Sequence, residues 1–253
     1  KKDALYRASF FCLCYNFLMR YIFYFILIPA LLPVFLIFKY IYGLDKVERE
    51  PMGLVLKVLL WGAVFSIPCA VVERFAISFI QAFYDIESVK YAFMENTFGV
   101  ALVEELSKWL VLMILVWRNN NFDYRYDGIV YATTASLGFA ALENILYVVN
   151  FGTGVSIGRA IFAIPGHTTF GVFMGFFLSR AKTQELDNRE FLKLILLLFS
   201  LAIPMLIHGC YDFLLSDQVA VIGYRWFFYI YVALLDLFAW KIIRHEFKTD
   251  HRL

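Results

Sequence analysis

The stretch Leu54–Val72 reads LVLKVLLWGAVFSIPCAVV, a run with one charge, Lys57, and no alternation of polar and apolar positions. A bilayer's hydrocarbon core, about 30 Å thick, takes roughly 20 helical residues, so this run is long and apolar enough to cross it. Working outward, six more stretches qualify: Tyr21–Tyr42, Thr97–Trp117, Gly128–Val149, Arg159–Ser179, Phe191–Leu215 and Ile222–Trp240. Composition agrees. The 253 residues are 62% hydrophobic, 19% aromatic and only 17% charged, whereas a soluble domain is nearer half apolar and a quarter charged. That leaves too little polar surface to face water, which excludes a soluble core fold, a disordered tail and a nucleic-acid binder. Backbone groups in lipid must bond internally and no alternating-strand pattern is present, so helices are expected rather than a barrel.

The expected fold is therefore all-α, a polytopic bundle of seven transmembrane spans, or eight if residues 8–19 add a crossing. Residues 21–245 read as one transmembrane domain, residues 1–20 as an interfacial or extra segment, and residues 246–253 as a cytoplasmic tail. No cleavable signal peptide is evident, because no small-x-small site follows the first apolar run. Cys12, Cys14, Cys69 and Cys210 sit in apolar stretches without metal-type spacing and read as small core residues. Lysines and arginines in the short loops divide fourteen to four between the two sides. The richer side, which carries the C-terminus, is expected to be cytoplasmic. Lys1, Lys2, Arg7 and Arg20 would then lie outside, against the rule.

Ionisable groups inside spans cost a few kcal/mol each and point to function. Span three carries Glu104, Glu105 and Lys108; span four, Glu143 followed by Asn144; span five, His167; span six, His208 and Asp212. At about 1.5 Å rise per residue, Glu104, Glu105, Glu143, His167 and His208 each lie roughly two turns inside the outer end of their helix, with Asp212 nearer the surface. Four antiparallel spans thus bring their costly groups to one level, and one polar site is the simplest account. Lys108 is i+4 from Glu104 and i+3 from Glu105, within reach of both carboxylates. Asp212, i+4 from His208, can fix the imidazole's orientation. Carboxylates and histidines without a nucleophile suit hydrolysis by activated water. No cofactor is expected. Two histidines with carboxylates are also competent zinc ligands, so zinc stays open, with a metal-free site favoured. Asp236, near the cytoplasmic end of span seven, reads as structural. The rival classes are a proton-coupled transporter, which would show paired interrupted helices in two related halves, and a non-catalytic scaffold that binds a substrate helix.

These motifs resemble the PrsW family of bacterial intramembrane proteases, relatives of the CAAX prenyl proteases and bacteriocin-processing enzymes. The resemblance is carried by Glu104-Glu105-x-x-Lys108, by Tyr126-Asp127-Gly128 leading into Ser136-Leu137-Gly138-Phe139 and Glu143-Asn144, by His167 with Gly171 and Gly175, and by His208-Gly209-x-Tyr211-Asp212. Asp45 and Glu50-Pro51 add to it, and it extends over about Pro29 to Trp240. It implies cleavage of a single-pass anti-sigma factor on the extracytoplasmic side of the bacterial cell membrane. Lys108 and Glu143 stand where CAAX-type relatives carry Arg and His.

Overall fold

The computed structural model describes residue 15 and residues 20–253 apart from 222 and 225. The reading of residues 8–19 as a further crossing, and that of Cys12 and Cys14, therefore fall outside the described residues, save Tyr15. The described chain is a helical bundle. A π-helical turn, Ile22–Leu27, leads into α1 (Ile28–Leu44), followed by α2 (Met52–Gln81), α3 (Val89–Met94) and α4 (Leu102–Leu115). Next come α5 (Asp127–Phe151), α6 (Gly154–Gly158), α7 (Ile164–Leu186), α8 (Glu190–Leu215), α9 (Asp217–Val221) and α10 (Trp226–Lys248). Among the described residues, six helical stretches are long and apolar enough to span a membrane. The expected third span, Thr97–Trp117, is not among those six. It is nonetheless helical from Val89 to Leu115, with Glu95, Glu104, Glu105 and Lys108 on it.

α5 is the axis of the bundle: every residue from Asp127 to Ala140 is buried. Its small residues explain how neighbours reach it. A Cβ on Gly138 would meet the Leu59 carbonyl of α2 at 2.0 Å, and one on Gly175 of α7 would meet the Gly128 carbonyl at 2.2 Å. Such close approach is how helices gain packing energy where lipid tails remove the hydrophobic drive. Phe75 and Phe79 of α2 and Ile114 of α4 point outward, as lipid-facing side chains do. Lys39 and Lys57 are exposed, in keeping with snorkelling.

Five helix ends overrun the expected lengths by five residues or more, two of them in α7, seven past Ser179, and in α10, eight past Trp240. In the other three, α2 continues nine residues past Val72, α3 begins eight before Thr97, and helix resumes at Gly154, five before Arg159. These three extensions lie at the same end of the bundle, where charged residues such as Glu73, Arg74 and Lys90 had read as span boundaries. Two π-helical turns interrupt these helices, Glu95–Ala101 between α3 and α4 and Arg159–Ala163 between α6 and α7. Each directly precedes the helix that carries site residues, as π-turns often do.

The opposite end holds a second polar cluster, made by the loop between α1 and α2. Asp45 and Glu50 are buried; Asp45 Oδ2 accepts the Glu50 backbone N–H at 3.1 Å, and the Tyr131 hydroxyl donates to Glu50 Oε2. Burial, reinforced by the Asp45 carboxylate, pushes Glu50 up to about 7. Burial and the facing Asp250 carboxylate push Asp45 up to about 6. A carboxyl raised on folding stabilises fully below its unfolded value, near 4, and loses that contribution as pH climbs through the folded value. Glu50→Gln, whose amide oxygen still accepts from Tyr131, is thus expected to raise Tm relative to the parent at pH 8. The gap should close toward pH 4.5, as read by thermal unfolding in detergent across that range. Residues after α10 pack here too: Leu253 N–H donates to the Asp123 carbonyl at 2.7 Å, and the Tyr126 N–H to Asp250 Oδ1 at 2.9 Å.

Candidate active site

Glu104, Glu105, Lys108, Glu143, His167, His208 and Asp212, from four helices, form one connected network. Lys108 is its centre and is fully buried. Its Nζ donates to Glu104 Oε2 at 3.0 Å and Glu105 Oε1 at 2.7 Å, and meets His167 Nδ1 at 3.1 Å. It also lies 4.5 Å from the Phe139 ring centroid, whose π face attracts the ammonium's charge. An ammonium only donates. His167 Nδ1 must therefore accept, which puts the ring proton on Nε2, where it points at Glu143 Oε2 2.8 Å away.

His208 is bound differently. Its Nδ1 lies 2.9 Å from Glu105 Oε1 and its Nε2 3.2 Å from Asp212 Oδ2. Two nitrogens facing two carboxylates are both satisfied when both carry hydrogens, the imidazolium form. Phe170 stacks on the ring, centroids 4.4 Å apart at 20°, and so holds its plane. The π-turn matters here: a Cβ on Gly209 would meet the Thr97 Cα at 2.8 Å. That contact brings the backbone leading into α4 directly against the His208 segment.

Beside the network lies a cavity of about 900 Å³. Glu104, Glu143, His167, His208 and Asp212 line it; Glu105 and Lys108 do not. The adjacent glutamates therefore divide. Glu104 faces the cavity, whereas Glu105 is fully buried, clamped between the Lys108 and His208 cations, with Oε2 lacking a hydrogen-bond partner.

Arg159, Glu73 and Asn96 also belong to the site and were not among its expected members. Arg159, read as a loop charge at the end of a span, reaches Glu143 Oε2 at 3.1 Å through Nη2 and donates through Nε to Asn144 Oδ1 at 2.7 Å. Glu73 and Asn96 line the cavity. Asn144 is an interhelical clamp, its amide donating to the Ala30 carbonyl at 2.7 Å. Asp236 lies away from this cavity and accepts the Thr169 hydroxyl at 2.8 Å.

The sequence model of the family described as "PrsW family intramembrane metalloprotease" matches residues 50–238. The chain belongs to that family. It is 38% identical to "Protease PrsW" of Oceanobacillus iheyensis over 191 residues, 76% of this chain and 83% of that protein. The counterpart of the same name in Geobacillus kaustophilus is 36% identical over 207 residues, covering 81% and 84%, and that of Clostridioides difficile 33% identical over 223 residues, covering 84% and 86%. No solved structure matches. This PrsW-family chain is thus a multi-pass membrane protein of an intramembrane protease family.

The family description implies a metal ion. Glu104, Glu105 and His167 each offer one donor atom, all within 4.8 Å of one another, and both residue types bind zinc. The same three groups, however, already hold the Lys108 ammonium at 2.7–3.1 Å. A divalent ion at their centre would face a positive charge at hydrogen-bond distance. The residues fit a metal by type and spacing but not with Lys108 in place.

Proposed function

We propose that this chain hydrolyses a peptide bond of a membrane-anchored protein, a single-pass anti-sigma factor, using water activated by Glu104 and no metal ion. The extracytoplasmic side is inferred from the fourteen-to-four division of loop cations. One observation carries the chemistry: of the paired glutamates only Glu104 meets the cavity, while Lys108 and Glu105 close the wall behind it. The Lys108 ammonium, 3.0 Å from Glu104 Oε2, fixes the orientation of that side chain. Water on the cavity side gives its proton to Glu104 as its oxygen attacks the scissile carbonyl carbon. His208 Nε2–H, whose 3.2 Å contact with Asp212 Oδ2 is looser than the 2.8 Å contact of His167 Nε2 with Glu143, turns from Asp212 to the resulting oxyanion. On collapse the carbon–nitrogen bond breaks, and the proton held by Glu104 passes to the leaving amine. The products are one carboxylate and one amine. In the arrangement present both nitrogens of His167 are engaged, so it serves to position Lys108, with Glu143 and Arg159 fixing its far side.

The test is cleavage of a tagged single-pass anti-sigma factor by purified protein in vesicles, with and without prior chelation. Cleavage that survives chelation is the expected result. Absence of cleavage under all conditions would defeat the protease reading; activity lost on chelation and restored by zinc would defeat only its metal-free form.

A further inference from the structure

The acids on the cavity wall are Glu73, Glu104, Glu143 and Asp212. Three have a cationic or imidazole partner within 3.2 Å: Glu104 has Lys108, Glu143 has His167 and Arg159, and Asp212 has His208. Glu73, among the described residues, has none. The contact it makes is a hydrogen bond accepted from the Cys69 thiol at 3.2 Å, a weak donor. Its position is not that of an end-of-helix charge. α2 runs on to Gln81, so Glu73 sits roughly 12 Å inside the helix end at about 1.5 Å per residue. Ser66, Ala70 and Glu73, at helical spacing, present one face of α2 to the cavity. His208 and Asp212 of α8 line the same cavity, whose volume of about 900 Å³ admits a peptide segment.

We infer that Glu73 is a specificity-determining residue that receives a Lys or Arg side chain of the substrate segment held in the cavity. This rests on the reading of the cavity as a proteolytic site. A carboxylate held in a half-enclosed space with no cation beside it is costly. The cavity's other acids deepen the negative potential there, because among the described residues Arg159 is the single permanent cation on its wall. A basic side chain that enters supplies the missing partner through a charge-assisted hydrogen bond, and a neutral or acidic one leaves the carboxylate unpaired. Arg159 is already committed to Glu143 and Asn144 and does not compete for Glu73.

The experiment uses full-length protein in phosphatidylcholine and phosphatidylglycerol vesicles, which carry no primary amine to occupy the site. Model single-pass substrates carry Lys, Gln or Glu in turn at each position flanking the cleaved bond. At one position the parent protein is expected to prefer Lys over Gln by about tenfold or more in kcat/KM, the range of a hydrogen bond to a charged group. Glu73→Gln is expected to collapse that ratio to near unity, and Glu73→Lys to turn it toward Glu. A ratio that Glu73→Gln leaves unaltered, or no preference at any position, overturns the inference while leaving proteolysis standing. Photo-crosslinking of the same substrates to the Glu104→Gln protein reads binding without cleavage. A Lys preference in capture that disappears with Glu73→Gln supports the inference even if hydrolysis is never seen, and equal capture of Lys and Gln substrates overturns it.

Discussion

Glu104→Gln is expected to lower cleavage of a single-pass substrate by about 10²–10⁴-fold, the range for loss of a general base, with little change in Tm. The reasoning separates two neighbours that look equivalent. Gln at 104 keeps an oxygen for Lys108 Nζ, now 3.0 Å from Oε2, and its cavity side stays solvated, so the network survives. What is lost is the capacity to take a proton from water. Glu105→Gln differs, because Glu105 Oε1 serves both Lys108 at 2.7 Å and His208 Nδ1 at 2.9 Å in a fully buried place. Neutralising it leaves two buried cations sharing fewer negative charges. That variant is expected to lose activity together with about 3–5 kcal/mol of stability, the cost of stripping one partner from a buried ion pair. Cleavage kinetics paired with thermal unfolding in detergent distinguish the two. If Glu104→Gln cleaves normally while Glu105→Gln fails without unfolding, the roles of the two residues are reversed.

Most of the spans, and the seven residues that the structure joins in one network, were legible in the sequence for a physical reason. Inside a lipid-facing run an ionisable residue is so costly that its presence alone marks it, and helical spacing told which residues shared a face. Lys108 between two glutamates, and His208 one turn before Asp212, needed nothing more. Glu73 and Arg159 were hidden because they fall where an apolar run gives out, and charge there reads as the membrane boundary. The helices overrun that boundary, so both residues turn out to line the cavity. Which nitrogen of each histidine meets which carboxylate, and which glutamate faces the cavity, depend on how α4, α5, α7 and α8 rotate against one another. The close approaches at Gly138, Gly175 and Gly209 set that rotation, and no single helix encodes it. The ordering of residues 249–253 against the α4–α5 loop was likewise invisible, because it rests on backbone pairing between Arg125 and His251 and between Asp123 and Leu253.

Lys108→Met is expected to be the most damaging single change, and it also decides the metal question. At about 3 Å and an effective dielectric of about 20, each carboxylate contact of an ammonium is worth about 5 kcal/mol. Lys108 makes two such contacts. Against them stands the several-kcal/mol cost of drying the ammonium itself. The contacts win, and their removal leaves Glu104 and Glu105 adjacent, buried and without their shared cation. A stability loss of about 3–5 kcal/mol is expected, together with loss of cleavage, because Glu104 then lacks the ammonium that fixes its orientation at the cavity wall. Met also vacates the point that Glu104, Glu105 and His167 surround, so donor atoms within 4.8 Å of one another become free for a divalent ion. The variant is therefore expected to gain stoichiometric zinc, and with it part of the lost Tm, while the parent binds none. Metal analysis and thermal unfolding with and without zinc check this directly. A parent protein that carries zinc at full stoichiometry, or a Lys108→Met variant as stable as the parent without metal, would show that the ammonium is not the cation that holds these two carboxylates.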